Sequence, residues 1–186
     1  MSITQTKTKF MHRTLYTAML AIVCFASCEI SVHTNTGSDS SIHVVKQSMQ
    51  TGLKTTANGL SFEDHHLVND KNEELVLTQF QAGNVVAVVV TGVDHFTEEN
   101  NRVYPGISIT VTDTANNIIM DTGNLFSQNT AGFTKEEAAI LRATLTIGAP
   151  ITVGDYTLHA KFWDTKGKGE ILSELAFSVV GADEYD

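Results

Sequence analysis

The sequence predicts an all-β fold, an antiparallel β-sandwich, for the larger part of the chain. Short runs rich in Val, Ile and Thr follow one another from Leu60 onward, and Gly, Asn or Asp residues interrupt them about every ten residues. Several runs alternate apolar and polar residues, which is typical of strands that bury one face. A helical pattern occurs in one short segment.

The first strands are predicted in "HHLVN", residues 65–69, and in "EELVLTQF", residues 73–80. The next, "NVVAVVVTGV" at residues 84–93, has five Val residues within seven positions and no polar side. Such a pattern favours a strand that is buried on both faces.

A hairpin and the helical segment follow. "GISITVTD" alternates, with Ile107, Ile109 and Val111 on one face, and the turn residues "TANN" precede the strand "IIMDT". In "TKEEAAIL", Thr134 can cap the first helical amides while Glu137 reaches back to it. Because "LRATLTIG" returns to alternation, we expect a helix of one or two turns that leads into a strand.

The last two strands surround the turn "DTKGKG". In the first, Tyr156, Leu158, Ala160 and Phe162 alternate with outward positions, and the return strand carries Leu175, Phe177 and Val179 on its core side. The entry Gly-Asp-Tyr resembles the tyrosine corner of immunoglobulin-like sandwiches, in which a Tyr near a strand start bonds to nearby backbone. The resemblance implies an immunoglobulin-like β-sandwich at residues 60–181, although the inter-sheet cysteine pair and strand-C Trp of antibody domains are absent from the sequence.

The N-terminal segment is typical of a secretory signal. Lys7, Lys9 and Arg13 precede the apolar run "LYTAMLAIVCFA". The run has about a dozen residues, whereas a membrane-spanning helix needs roughly 20. Translation from either Met1 or Met11 is compatible with this signal.

"FASC", residues 25–28, resembles the lipobox of bacterial lipoproteins, in which small residues precede a lipid-modified cysteine. The resemblance implies that residues 1–27 are removed and that Cys28 carries the lipid that anchors the protein to a membrane. Phe25 stands where an aliphatic residue is usual, so ordinary signal-peptidase cleavage remains an alternative. Cleavage before Cys28 also removes Cys24 and leaves the folded domain without cysteine, which is consistent with export to an oxidising compartment.

Residues 28–59 are predicted to be a flexible tether because they are rich in Ser, Thr, Asn, Gly and Gln and show no sustained period. Within them, "SIHVVKQ" has the composition of a short strand. Residues 182–186, "ADEYD", form an acidic C-terminal tail.

Composition and motifs disfavour several functions. The net charge is −9, and removal of Lys7, Lys9 and Arg13 with the signal changes it to −12, so nucleic acid is not an expected partner. The sequence has no nucleophile elbow, phosphate loop, dinucleotide fingerprint or two-cysteine zinc motif. We therefore expect no catalytic residues and no cofactor.

Two segments raise the possibility of a metal site. His65 and His66 are adjacent on a strand and point to opposite faces, so they do not converge on one ion. "DHFTEENN", residues 94–101, gathers Asp94, Glu98 and Glu99, which suit a hard cation, but it lacks the spacing of a calcium loop. A solvated loop is the favoured interpretation, and no metal site is expected.

The candidate binding face consists of His159, Lys161 and Trp163, the outward residues of one strand. Trp163 is the single tryptophan of the chain. An exposed aromatic ring on a sheet is suited to contact with sugars or peptides. The other interpretation, which we favour because single exposed apolar residues are common, is that Trp163 covers the hairpin base or a neighbouring loop.

These features together predict a non-catalytic, lipid-anchored module of the bacterial cell envelope, placed at the outer membrane, with an envelope protein or a glycan as partner. The alternative is a carbohydrate-binding domain of a glycan-uptake system, which requires a second aromatic residue, such as Tyr104 or Phe126, beside Trp163. A secreted hydrolase that uses carboxylates such as Asp64 and Asp94 is the least favoured class, because it requires a concave pocket with converging acids.

Overall fold

A computed structural model describes residues 42–181 of the chain. Within this range there are ten strands and one short helix, α1, at Lys135–Ala138. The strands are β1 His43–Gln47, β2 Lys54–Asn58, β3 Asp64–Val68, β4 Gln79–Phe80, β5 Val85–Thr91, β6 Pro105–Asp113, β7 Ile118–Asp121, β8 Ile140–Thr146, β9 Gly154–Asp164 and β10 Glu170–Val179.

Two sheets face each other. The large sheet has the order β1-β2-β10-β9-β6-β7, with β4 beside the end of β10, and the small sheet has the order β3-β5-β8. All strand pairs are antiparallel except β4 with β10. The architecture is an immunoglobulin-like antiparallel β-sandwich with one short helix, which confirms the fold class predicted from the sequence.

The core explains why β5 has no polar side. Val86, Val88 and Val90 pack in the main cluster between the two sheets, whereas Ala87 and Val89 pack with Val68 in a second cluster. The strand is therefore buried on both faces, as its sequence predicts. In β6, the alternating Ile107, Ile109 and Val111 are each at most 1% exposed and belong to the main cluster.

The β9–β10 hairpin lies in the middle of the large sheet. Its inward residues Leu158 and Phe162 are at most 1% exposed, as the alternation predicts. Tyr156 is half-buried, and its hydroxyl accepts a hydrogen bond from the Thr152 N–H at 3.3 Å. The expected bond between this tyrosine and the backbone at the strand entry is therefore present, although its ring is less buried than predicted.

The helix has the predicted capping box. Thr134 Oγ1 accepts a hydrogen bond from the Glu137 N–H at 3.2 Å, and Glu137 Oε2 accepts one from the Thr134 N–H at 2.8 Å. The two bonds satisfy amide groups that the helix itself leaves without partners. β8 follows directly, and its Leu141, Ala143 and Leu145 are buried.

The predicted tether at residues 28–59 is wrong for its described part, because β1 and β2 belong to the large sheet. β2 pairs with β10 over Glu170–Glu174, and its Ala57 is fully buried. Its sequence, "KTTAN", is polar, and the strand arises from pairing with β10 and from a hydrogen-bonded buried Thr55, both of which are tertiary interactions. The sandwich thus includes residues 42–59, while residues 1–41 and the acidic tail at 182–186 lie outside the described part.

The prediction of a long strand at 73–80 is also wrong in extent, since only Gln79–Phe80 form one. Glu74 bridges to Val68 in the small sheet, whereas β4 pairs with β10 in the large sheet. The segment therefore crosses from one sheet to the other. Between these contacts, Val76 and Leu77 are 53% and 61% exposed, so their apolar character does not reflect burial.

Candidate functional site

The side of the large sheet that points away from the core is broad and is here named the outer face. Strand register arranges its central residues in three rows, which comprise Gly106, Trp163, Glu170, Asn58 and His43; Ser108, Lys161, Leu172, Thr56 and Val45; and Thr110, His159, Glu174, Lys54 and Gln47. The predicted His159, Lys161 and Trp163 thus lie next to one another along β9, one in each row.

Two contacts between basic and acidic side chains cross the outer face. Lys161 Nζ lies 2.7 Å from Glu170 Oε2, and His159 Nδ1 lies 3.5 Å from Glu174 Oε1. These contacts join β9 to β10 across the surface. The acids offset the basic groups, so the face does not attract anions through its charge.

Trp163 is half-buried and packs against the neighbouring strand. A Cβ atom at Gly106 of β6 would clash with Cε2 of the indole, so the ring lies directly over that glycine. Within residues 42–181, no other aromatic ring stacks on Trp163. Tyr104 packs against Lys166, whose Nζ lies 4.9 Å from the ring centre, and Phe126 packs against Phe133 at 5.0 Å.

A groove of about 420 Å³ adjoins the outer face at the β9–β10 turn, and we name it the hairpin-end groove. Its lining residues are Asn58, Gly59, His95, Thr97, Asp164, Lys168 and Gly169. The Gly59 N–H donates to the carbonyl oxygen of Ile42 at 2.8 Å. The described chain therefore enters the sandwich at the end that holds this groove.

Asp164 provides a fixed acceptor in the groove. The residue is 4% exposed, and its Oδ2 accepts a hydrogen bond from the Thr97 N–H at 2.7 Å while Oδ1 accepts one from the Lys166 N–H at 2.9 Å. A carboxylate has about four acceptor positions, so these two bonds fix its orientation and leave further capacity. Gly167 is needed beside it, because a Cβ atom there would clash with Asp164 Oδ2.

The remaining polar groups of the groove include hydrogen-bond donors of several kinds. Asn58 Oδ1 lies 2.6 Å from His43 Nδ1, which leaves the Asn58 amide hydrogens to donate. The His95 ring is oriented by a 3.0 Å contact between its Nδ1 and Ser61 Oγ. Lys168 forms no ion pair or hydrogen bond with any group in residues 42–181.

The acidic loop at 94–101 borders the groove, and lysines partner two of its carboxylates. Glu98 lies 2.6 Å from Lys135, and Glu99 lies 2.9 Å from Lys166. Hydrogen bonds to these glutamates raise the pKa of Lys135 and of Lys166. In the described part of the chain, no group of three or more His, Cys, Asp or Glu side chains is placed to hold a metal ion.

A smaller pocket of about 310 Å³ lies at the opposite end of the sandwich, where β9 begins and β10 ends. Asp155 and Ser178 line it and share a 2.6 Å hydrogen bond. Tyr156 and Phe177 also line it, with ring centres 5.7 Å apart. Because Asp155 is exposed and is bonded to one hydroxyl, this pocket is less constrained than the hairpin-end groove.

His65 lies in the core rather than at a surface site. It is 3% exposed, and its Nδ1 lies 2.6 Å from Thr55 Oγ1, which in turn lies 2.8 Å from Ser173 Oγ. Burial lowers the pKa of His65 to about 4; Asp64 opposes this shift, and Lys46 and His66 add to it. His66 is partly exposed, so the two adjacent histidines point in different directions, as the strand pattern predicts.

No protein-family model matches the sequence, and no curated protein is similar to it. Among solved structures, the C-terminal domain of Wzt is similar with a TM-score of 0.48 and 10% identity, over 78% of this chain and 81% of that chain. A Niemann-Pick type C2 protein from the Japanese carpenter ant is similar with a TM-score of 0.39 and 8% identity, over 64% of this chain and 91% of that chain. TM-scores and identities this low give no information about a ligand or partner of this protein.

Sequence reasoning missed the groove. The sequence places Asn58 in the predicted tether, and Asp164 and Lys168 in the predicted turn "DTKGKG". One local signal was available: Asp164 precedes "TKGKG", and an Asp at the start of a Gly-containing turn commonly bonds to the backbone of that turn. Nothing in the local sequence indicates that Thr97, 67 residues earlier, supplies the second amide.

Proposed function

We propose that the protein is a non-catalytic binding module of the bacterial cell envelope, anchored to the outer membrane by a lipid on Cys28. The observation that supports binding is the distribution of polar groups. The buried side chains between the sheets are mostly apolar and form one main cluster, whereas polar side chains gather on the outer face and in the hairpin-end groove. Surface sites of this kind are suited to recognition of a partner.

The anchor is inferred from the lipobox resemblance at residues 25–28 and lies outside the described residues. Thirteen residues separate Cys28 from Ile42, where the described chain begins. In this proposal, the end of the sandwich that contains the hairpin-end groove is the one connected to the membrane. No helix in residues 42–181 is long and apolar enough to cross a bilayer.

The anchor is tested by Cys28→Ala, with Cys24→Ala as the matched control. Cys28→Ala is expected to move the protein from the membrane fraction to the soluble fraction of its host, whereas Cys24→Ala leaves it in the membrane. Mass spectrometry of the wild-type protein is expected to show a lipid-modified Cys28 at the N-terminus. An unprocessed N-terminus or an unmodified Cys28 in the membrane fraction would contradict the proposal.

The alternative of a carbohydrate-binding domain built on Trp163 as a stacking platform gains little support. Tyr104 and Phe126, the two candidates for a second platform ring, pack against Lys166 and Phe133 instead. The acidic loop does not support the hydrolase alternative either, because Glu98 and Glu99 are each paired with a lysine.

A further inference from the structure

We propose that the hairpin-end groove binds a neutral saccharide unit of a glycan. This inference rests on the proposed function as a binding module and names the ligand class and the site. The site differs from the Trp163 platform, because its recognition groups are a buried carboxylate and several donors rather than an aromatic surface.

The chemistry of the lining matches adjacent hydroxyl groups. Each sugar hydroxyl donates one hydrogen bond and accepts others, so a site for it needs acceptors and donors close together. Asp164 supplies the acceptor, and Lys168, Asn58 and Thr97 supply donors. Because Asp164 is already buried and held by two backbone amides, a ligand does not have to order it on binding.

Other ligand classes fit less well. An anion would be repelled by the Asp164 carboxylate in the groove lining, and the net charge of −9 adds to that repulsion. A hard cation would find one carboxylate and an adjacent lysine, whereas calcium is usually held by several oxygen ligands. An apolar ligand would cover these polar groups without satisfying them.

Size and position also fit a sugar. A volume of about 420 Å³ falls near the lower end of the range for small-ligand sites, about 300 to 1,000 Å³. Asn58 and Trp163 flank Glu170 in the same row of the outer face, so they are two strand spacings apart, or roughly 10 Å. An oligosaccharide seated in the groove can therefore extend along this row to the indole.

The test uses the full-length protein purified in detergent and titrated calorimetrically with maltotriose, cellotriose, mannotriose and chitotriose. At least one trisaccharide is expected to bind. Lys168→Ala and Thr97→Val, two changes at exposed positions, should each weaken that binding, the lysine change by about tenfold or more. Lys54→Ala, which changes an exposed lysine outside the groove, and Asp155→Asn, in the opposite pocket, should change it by less than about twofold.

Two results would overturn the proposal: no binding of any of the four sugars, or binding that Lys168→Ala and Thr97→Val leave unchanged. Thermal unfolding of each variant must match the wild type, so that a loss of binding is not a loss of folding. Membrane fractionation of Cys28→Ala is independent of these titrations. An anchored protein that binds none of the sugars contradicts the saccharide site alone, and a sugar-binding protein without a lipid contradicts the anchor alone.

Discussion

His65 Nδ1 lies 2.6 Å from Thr55 Oγ1, and this hydrogen bond connects the two sheets through the core. His65 is on β3 of the small sheet, Thr55 is on β2, and Thr55 also contacts Ser173 on β10. Among the described residues, His65 Nε2 is buried and has no hydrogen-bond partner. The site therefore accommodates a neutral imidazole and disfavours a charged one, because a buried charge without a partner is costly.

We predict that acid destabilises the protein through His65. The pKa is about 4 in the folded state and about 6.5 when the chain is unfolded, so between these values the unfolded chain binds a proton that the folded chain does not. The contribution of His65 to the free energy of unfolding is thus full above pH 6.5 and declines as the pH falls to about 4. The loss is on the order of 1–3 kcal/mol.

The measurement is urea denaturation from pH 7.5 to 4, compared between the wild type and His65→Leu. The leucine variant should lose less stability over this range, since it has no imidazole to protonate. His66→Leu, on the other face of the strand, is the control. His66 is the smallest of the named influences on the His65 pKa, so this variant should change the pH dependence much less than His65→Leu does. If the free energy of unfolding falls equally with pH in the wild type and in His65→Leu, protonation of His65 is not the cause of the acid destabilisation.

A second prediction concerns the partner hydroxyl. Thr55→Val preserves shape but removes the group that bonds to His65, which leaves both imidazole nitrogens without partners in the core. We expect a loss of about 1–3 kcal/mol in the free energy of unfolding at pH 7.5. Ser173→Ala retains the His65–Thr55 bond and should cost less. If Thr55→Val and Ser173→Ala lower the free energy of unfolding equally, the His65–Thr55 bond does not contribute more to stability than the Thr55–Ser173 bond.

The sequence predicted those elements whose local pattern agrees with their packing. Ile107, Ile109 and Val111 alternate in sequence and are buried in the core, and the Thr134–Glu137 pair forms its capping box from neighbouring residues. Agreement of this kind is expected where local preference and tertiary structure favour the same conformation.

The elements that were mispredicted depend on distant partners. The Thr55 hydroxyl can be buried because it bonds to His65 and to Ser173, which is 118 residues away in the sequence. The carboxylate of Asp164 is fixed by the amide of Thr97, which lies in a loop between other strands. Neither relationship produces a periodic pattern in the sequence. The sequence therefore predicts a tether where β2 lies and a simple turn where Asp164 is held in place.

A third prediction tests the inward face of β9. Phe162 is fully buried between the sheets, so Phe162→Ala should lower the free energy of unfolding by about 3–5 kcal/mol. Ile118→Ala, at a position that is 64% exposed, is the control and should change it by at most about 0.5 kcal/mol. A loss below about 1 kcal/mol for Phe162→Ala in chemical denaturation would contradict the assigned face.

The fourth prediction uses Trp163 as its own probe, since it is the only tryptophan in the chain. Gly106→Ala places a methyl group where the indole now lies, so the ring must move away from β6 and become more exposed. We expect a red shift of the intrinsic fluorescence and a lower melting temperature. Gly148→Ala is the matched control, because a Cβ atom there meets nothing within 4 Å and its backbone is outside the left-handed region. An unchanged spectrum for Gly106→Ala would show that the indole does not rest on β6, and would leave Trp163 free to act as an open binding surface.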